Sequence, residues 1–225
     1  SEAIGEARSD QEIRCLVITG RGRCFSAGAD LRSSMQRSDL GKPSRDASFA
    51  MYEPFLRVLD VEVPVIAAMN GHTVGGGFGL SLLADIRVAN VDAKYGVNFA
   101  RLGIHSGLAI SYVLPRLIGS AYASELLFTG KLIRGSEALR IGLATHAEEA
   151  DEVLPTSMEL ARAIAGSAPM AVQQMKASIR RGLAWEIGEA ALYEAGLQAA
   201  SLETEDAKEG VAAILEKREP EFKGR

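Results

Sequence analysis

The spacing of apolar and polar residues along the chain changes near residue 150. Before that point, the continuous apolar runs Cys15–Thr19 and Val65–Met69 predict buried strands, and the alternating segment Ile86–Ala89 predicts a third strand. After it, apolar residues recur at helical spacing, which predicts helices over 151–165, 169–184, 187–202 and 204–217. Strands first and helices last indicate an α/β core followed by a helical C-terminal region.

Helical patterns also occur among the predicted strands. They cover 2–8, 47–60 with Pro54 as a kink, 106–118, 120–129 and a short helix capped by Ser136. The polar stretch 36–46 predicts a surface loop, and it is a candidate lid.

The chain divides by this pattern into two regions. We expect a β/α core over residues 1–145 and a helical region over 146–225. Since the first helix has no strand before it, we also expect the N-terminal strands of the core to be missing from this chain.

Composition and charge narrow the classes of partner. The chain has 225 residues, 47% of them hydrophobic, and a net charge of −4, with its basic residues scattered rather than clustered. Nucleic acid binding is therefore not expected. The pair Arg180 and Arg181 fits a solvated helix face, whereas Arg21 and Arg23 fit either a solvated loop or a phosphate contact.

Cysteine spacing and hydropathy indicate the compartment. Cys15 and Cys24 have neither metal-ligand nor disulfide spacing, which favours a reducing compartment and no metal site. No apolar run reaches the ~18–20 residues of a membrane span, and the first residues do not resemble a signal peptide. The sequence thus predicts a cytoplasmic protein that does not insert into membranes.

The glycine-rich segment Gly75–Gly79 is the clearest chemical signal. It follows the predicted strand Val65–Met69 and precedes a helical segment. Glycines at a helix N-terminus let backbone N–H groups face an incoming oxygen, and the helix dipole favours negative charge there. This arrangement predicts an oxyanion hole.

Three segments together resemble the crotonase superfamily, whose best known members are enoyl-CoA hydratases and isomerases. They are Phe25–Leu31, then Asn70–Gly79 with Ala84–Arg87, and then 95–143 with its Leu114–Gly119 and Leu126–Gly130 motifs. The resemblance implies an α/β, crotonase-like (ClpP/crotonase) fold with a spiral ββα core. It also implies that the C-terminal helices build a homotrimer or a dimer of trimers.

The same resemblance implies an acyl-CoA site. Backbone N–H groups of Ala29 and Gly76 would hold the thioester oxygen, and no permanently bound cofactor is implied, because coenzyme A enters as part of the substrate. The positions that would contact the coenzyme are Ala27, Gly28, Ala29, Asp30, Leu31 and Gly75. A glycine-rich turn that serves only tight packing is the alternative interpretation.

The chain departs from the family at the positions of its acids and bases. Hydratases of the family carry two glutamates at the positions that correspond to Gly79 and Phe99, and dienoyl-type isomerases carry an aspartate that corresponds to Gly107. Gly79, Phe99 and Gly107 have no side chain that can transfer a proton. We expect Gly79 to enlarge, and Phe99 to dry, one side of the acyl site.

Two function classes remain open. The first is an acyl-CoA enzyme that stabilises an enolate-type intermediate, in the hydratase, isomerase, decarboxylase or hydrolase range. The second is a catalytically inactive acyl-CoA-binding or assembly protein. His105 is the remaining candidate for a general base, with a structural role as its alternative, and Tyr52 would offer a hydroxyl if it faced inward.

Overall fold

Two four-stranded sheets organise the core of the molecule. The computed structural model describes residues 2–10, 12–28 and 44–225. The first sheet is parallel throughout, in the order β1 (Leu16–Thr19), β3 (Val65–Met69), β5 (Ile86–Asn90), β8 (His146–Glu148). The second has the order β2 (Cys24–Ser26), β4 (His72–Val74), β6 (Lys94–Gly96), β7 (Ile133–Arg134), with only β7 antiparallel.

Successive strands alternate between the two sheets through most of the core. The pair β1–β2 precedes α2 along the chain, and the pair β3–β4 precedes α3 directly. The spiral ββα core expected from the resemblance is thereby confirmed. The described helices are α1 (Glu2–Ser9), α2 (Arg45–Leu56), α3 (Gly76–Leu82), α4 (Ile110–Thr129), α5 (Gly135–Arg140), α6 (Val153–Ala165), α7 (Pro169–Ile179), α8 (Leu183–Leu202) and α9 (Glu205–Glu216).

Strand β3 lies at the centre of the fold because both of its faces are apolar. All five of its residues are buried. Val65, Ala67 and Met69 pack into the main core, while Ile66 and Ala68 pack under α6. The continuous apolar run in the sequence follows from this two-sided burial.

A buried ion-pair cluster fastens α7 to the core. Asp85 lies 2.9 Å from Lys176 Nζ and 2.7 Å from Arg180 Nε, and its carboxylate also accepts the Val65 N–H at 2.7 Å. Burial lowers the pKa of Lys176, an effect that Asp85 opposes. The pair Arg180 and Arg181 is therefore not simply a solvated face, since Arg180 is largely buried against Asp85.

One predicted helix boundary is confirmed, and two others differ from the structure because of the backbone conformation. The break expected between 118 and 120 is confirmed, because Gly119 has φ 79°. The helix predicted from 106 begins only at Ile110, since Leu108 and Ala109 are left-handed. The short helix after β7 begins at Gly135 with Arg134 as its N-cap, so the predicted Ser136 cap is wrong.

The short strands of the second sheet were not predicted. Each has two or three residues, which is too few to show alternation. Strand β8 likewise extends the first sheet, so that the helical part begins at Val153. In the parts of the chain that the structure describes, no helix combines the length and apolarity that crossing a bilayer requires.

Candidate active site

The N-terminus of α3 presents backbone rather than side chains. Gly75 caps the helix at φ 60°, and its N–H donates to Gly96 O at 3.2 Å. Gly76 is the first residue of the helix, so its N–H has no intrahelical acceptor. Among the described atoms, none lies within 4 Å of the place where a Cβ on Gly76 would stand. The Gly76 N–H is therefore free of the helix ladder, while its role as an oxyanion donor stays a prediction.

Two further glycines allow the neighbouring loop to approach this helix. A Cβ on Gly77 would collide with the Ser26 side chain of β2, so glycine is required for α3 to pack there. Gly28, at φ 84°, brings its backbone against Val74 and Gly75, and both Ala27 and Gly28 are exposed. The loop predicted to hold coenzyme A thus begins beside the predicted oxyanion donor.

Three predicted site residues lie outside the described residues. They are Ala29, Asp30 and Leu31. Most of the candidate lid at 36–46 also lies outside the described residues. The second oxyanion donor and the remaining coenzyme contacts therefore stay predictions.

Phe99 lies beside the glycine run, as its match to a catalytic position implies. It opens a 3-10 turn at Phe99–Leu102, and its Cζ atom would be 4.0 Å from a Cβ on Gly75. The ring is half-buried and packs against the core. An apolar ring, rather than a carboxylate, thus borders the N-terminus of α3.

Gly79 lies on the same face of α3 as Gly75 and Gly76, because residues three and four apart share a helix face. Its missing side chain does not leave a space. A Cβ on Gly79 would lie 2.8 Å from Leu108 Cδ2 and 3.2 Å from two carbons of Ile110. The expected enlargement of the acyl site at Gly79 is therefore wrong, since side chains from residues 108 and 110 fill the volume.

Gly107 is occupied in the same way. A Cβ there would collide with the hydroxyl and ring of Tyr52, which is buried. The Tyr52 hydroxyl donates to Gln198 Oε1, and burial raises its pKa. Tyr52 does face inward, but its hydroxyl bonds helix α8.

Helix α8 carries a buried polar cluster that the sequence analysis missed. Glu194 Oε1 accepts the Ser111 N–H at 2.8 Å and also its hydroxyl, Gln198 Nε2 donates to His105 O at 3.0 Å, and Ser201 Oγ accepts the His105 N–H at 2.9 Å. Burial raises the pKa of Glu194, while the hydrogen bonds from Ser111 oppose the rise. No hydrogen-bond partner for its buried Oε2 is found in the described part of the chain.

A signal for this cluster was present in the sequence. Ile187, Ala191, Ala195 and Ala199 form a buried stripe at four-residue spacing. Glu194 lies three residues after Ala191, and hence on the same face. A charged residue on an apolar helix face predicts a buried, specifically bonded carboxyl.

His105 is held by this cluster rather than by the glycine run. Its main chain bonds Gln198 and Ser201, and its Nδ1 donates to Ser106 O at 2.7 Å. These contacts support a structural position, while a role as base stays a prediction. No three His, Cys, Asp or Glu side chains within the described ranges are grouped as a metal site would require.

Comparison with known proteins gives one consistent result. The sequence model described as enoyl-CoA hydratase/isomerase matches residues 1–225. The short-chain-enoyl-CoA hydratase of Clostridium acetobutylicum is 37% identical over 224 residues, which cover 99% of this chain and 85% of that protein.

Solved structures agree with this result. The crystal structure of an enoyl-CoA hydratase/isomerase from Pseudoalteromonas atlantica has a TM-score of 0.86 and 30% identity, and covers 99% of this chain and 86% of that chain. A variant of the decarboxylase domain of CurF from Lyngbya majuscula has a TM-score of 0.81 and 25% identity, and covers 95% of this chain and 85% of that chain.

Proposed function

The chain belongs to the enoyl-CoA hydratase/isomerase family, and thus to the crotonase superfamily, and from this membership we propose that it acts on an acyl-CoA thioester. In this proposal, backbone N–H groups of Gly76 and Ala29 stabilise an enolate-type oxyanion. The observation that carries the proposal is the N-terminus of α3, where the Gly76 N–H has no intrahelical acceptor and no side chain of the described residues lies within 4 Å of the place of a Cβ on Gly76.

The energetic contribution of such a site is large enough to support catalysis. One oxyanion donor typically contributes about 2.7–4 kcal/mol to transition-state stabilisation. Phe99 and Leu108 surround the glycines with apolar surface. A low dielectric strengthens the interaction of an N–H group with a developing negative charge.

Hydration through paired carboxylates is not part of the proposal. A general acid or base typically accelerates the reaction ~10²–10⁴-fold, and neither Gly79 nor Phe99 can serve as one. A buried Leu108 and Ile110 also occupy the volume beside Gly79. These residues leave no carboxylate pair to hold a water molecule.

Decarboxylation of a malonyl-type thioester is the reaction that this arrangement supports best. The C–C bond to the carboxylate breaks, CO₂ leaves, and the electron pair forms the enolate, so no base is needed to create it. Solvent then supplies the proton to the α carbon. The fold is compatible with this reaction, because a decarboxylase domain shares it.

A non-catalytic acyl-CoA-binding or assembly protein is the second candidate. Gly79, Phe99 and Gly107 favour it, because each stands where the resemblance implies an acid. It predicts the same ligand and no turnover.

Two measurements on one sample separate the candidates. Calorimetric titration with free CoA and crotonyl-CoA tests binding, while hydration of crotonyl-CoA and CO₂ release from malonyl-CoA and methylmalonyl-CoA test turnover. We expect binding, negligible hydration and measurable CO₂ release. Binding with no turnover in either assay would favour the second candidate, and no binding of either ligand would contradict both.

We propose further that the chain forms a trimer or a dimer of trimers. The C-terminal helices expose large apolar side chains, among them Met170, Ile179, Trp185 and Tyr193, which are 69–82% exposed. Surfaces of this kind mark protein interfaces. Light scattering tests the proposal, and a stable monomer would contradict it.

We also place the protein in the cytoplasm, where thiols such as Cys15 and Cys24 remain reduced. Cell fractionation tests this location, and recovery outside the cytoplasmic fraction would contradict it.

A further inference from the structure

The segment that precedes α4 has an unusual backbone. Leu108 and Ala109 have φ values of 60° and 56°, in the left-handed region that non-glycine residues rarely adopt. Such a conformation persists only where surrounding contacts determine it. The contacts around residues 105–111 therefore matter for the shape of this segment.

Helix α8 supplies those contacts from one face. Glu194, Gln198 and Ser201 are spaced by four and three residues, so they form one stripe, which we call the α8 polar stripe. All three bond backbone groups of the segment, at the Ser111 N–H and at both the carbonyl and the N–H of His105. Because Glu194 and Gln198 are 1% and 5% exposed, these bonds are shielded from water.

Leu108 lies between the two positions that the stripe bonds, and it packs against Gly79. Leu108 is 1% exposed, and its Cδ2 is the described atom nearest to the position of a Cβ on Gly79. Gly79 lies three residues after Gly76, which is about 4.5 Å along the helix axis. An acyl chain that is held at the Gly76 N–H and runs along this face of α3 would reach Leu108.

We propose that Leu108 determines which acyl chains the site accepts, and that Glu194, Gln198 and Ser201 are positioning residues that hold Leu108 there. The inference rests on the proposed acyl-CoA function. It assigns a short acyl group to this site, because the Leu108 side chain fills the volume that a longer chain would enter.

Calorimetric titration with butyryl-CoA, decanoyl-CoA and free CoA tests the role of Leu108. We expect Leu108→Ala to raise the affinity for decanoyl-CoA relative to butyryl-CoA about tenfold, since it makes room for about two further buried methylene groups. Affinity for free CoA should not change. Leu143→Ala is the matched control, because Leu143 is equally buried in the same core cluster but follows α5.

The outcomes of this titration are distinguishable. An unchanged ratio in Leu108→Ala, with butyryl-CoA still bound, would overturn the inference and leave the proposed function intact. If the unaltered protein binds none of the three ligands, the proposed function fails, and the inference fails with it. The same change of ratio in Leu143→Ala would also overturn the inference, because any loosening of the core would then suffice.

The positioning role has its own test in Glu194. Glu194→Gln retains an oxygen acceptor for the Ser111 N–H, so we expect the ratio of the unaltered protein. Glu194→Ala removes the acceptor and should shift the ratio in the same direction as Leu108→Ala. A merely structural role would lower the affinity for all three ligands together.

If Glu194→Ala does not fold, Gln198→Ala tests the positioning role through the same ratio of decanoyl-CoA to butyryl-CoA affinity. Gln198→Ala removes the contacts to His105 and Tyr52 while it leaves Glu194 in place. An unchanged ratio in every folded variant of the α8 polar stripe would overturn its positioning role.

Discussion

The contact between Gly79 and Leu108 makes a quantitative prediction about stability. In an open helix position, Gly→Ala stabilises a protein by about 0.5–1 kcal/mol. At Gly79 the added Cβ would approach Leu108 Cδ2 to 2.8 Å and Ile110 to 3.2 Å. Overpacking of a buried core costs about 1–3 kcal/mol. Gly79→Ala should therefore lower the free energy of unfolding by roughly 1 kcal/mol.

A second helical glycine serves as the matched control. Gly188 lies inside α8, and no described atom lies within 4 Å of the place where its Cβ would stand. We expect Gly188→Ala to raise the free energy of unfolding by about 0.5–1 kcal/mol. The difference in sign between the two substitutions separates the contact from helix propensity.

A double-mutant cycle attributes the cost to Leu108. Leu108→Ala alone should cost about 2–5 kcal/mol, because it leaves a cavity. In the Gly79→Ala background the same change should cost less, since the new methyl group occupies part of that cavity. We expect a coupling free energy of at least about 1 kcal/mol between the two positions.

Urea unfolding at one protein concentration measures all five proteins of this design. The concentration must be fixed because the apparent stability of an oligomer depends on it. Additivity of the Gly79→Ala and Leu108→Ala effects to within about 0.5 kcal/mol would refute the contact. So would stabilisation by Gly79→Ala equal to that by Gly188→Ala.

Three further predictions concern other parts of the structure, and urea unfolding tests each of them. Burial raises the pKa of Glu194 above its ordinary value of about 4.3, so the stability that this carboxyl contributes is present below about pH 4.3 and is lost as pH rises through the pKa of the folded state. Glu194→Gln should remove this loss of stability, and identical pH profiles of the two proteins would contradict the reasoning. Asp85→Asn should cost about 3–5 kcal/mol because it leaves the buried Lys176 and the largely buried Arg180 without their carboxylate. Glu125→Gln, in an exposed pair, should cost only about 0–1 kcal/mol, and equal costs of the two substitutions would contradict the prediction. Gly107→Ala should cost about 1–3 kcal/mol, because its Cβ would strike the buried Tyr52 ring, and a neutral effect would show that the ring moves freely.

Sequence reasoning predicted three of the four strands of the first sheet, β1 and β3 from continuous apolar runs and β5 from alternation, but not β8. Strand β3 coincides with the predicted Val65–Met69, and β5 extends the predicted Ile86–Ala89 by one residue. The second sheet was missed, since its strands of two or three residues are held by neighbours distant in sequence. The helix predicted to run through residue 184 ends at Ile179, and Gly182, at φ 78°, precedes α8.

The part of the candidate site that consists of backbone N–H groups was predictable from the sequence. Glycines after a buried strand indicate exposed N–H groups, and α3 begins at Gly76 as that pattern requires. The filling of the volume at Gly79 was not predictable, because Leu108 lies 29 positions later and depends on a left-handed backbone that its sequence does not favour. Glu194 has the same difficulty, since its partner Ser111 lies 83 positions away.

The central claim is that the Gly76 N–H stabilises an oxyanion on an acyl-CoA thioester, and one substitution removes that group while preserving the helix. Proline has no N–H and is well tolerated at the first position of a helix, whereas Gly76→Ala keeps the N–H and adds a Cβ that no side chain of the described residues obstructs. The measurement is kcat/KM for the thioester in the turnover panel that the unaltered protein processes fastest. The account predicts that Gly76→Pro lowers this value by about 10²–10³ relative to Gly76→Ala, while both variants unfold at similar urea concentrations. Equal kcat/KM values for the two variants would contradict it.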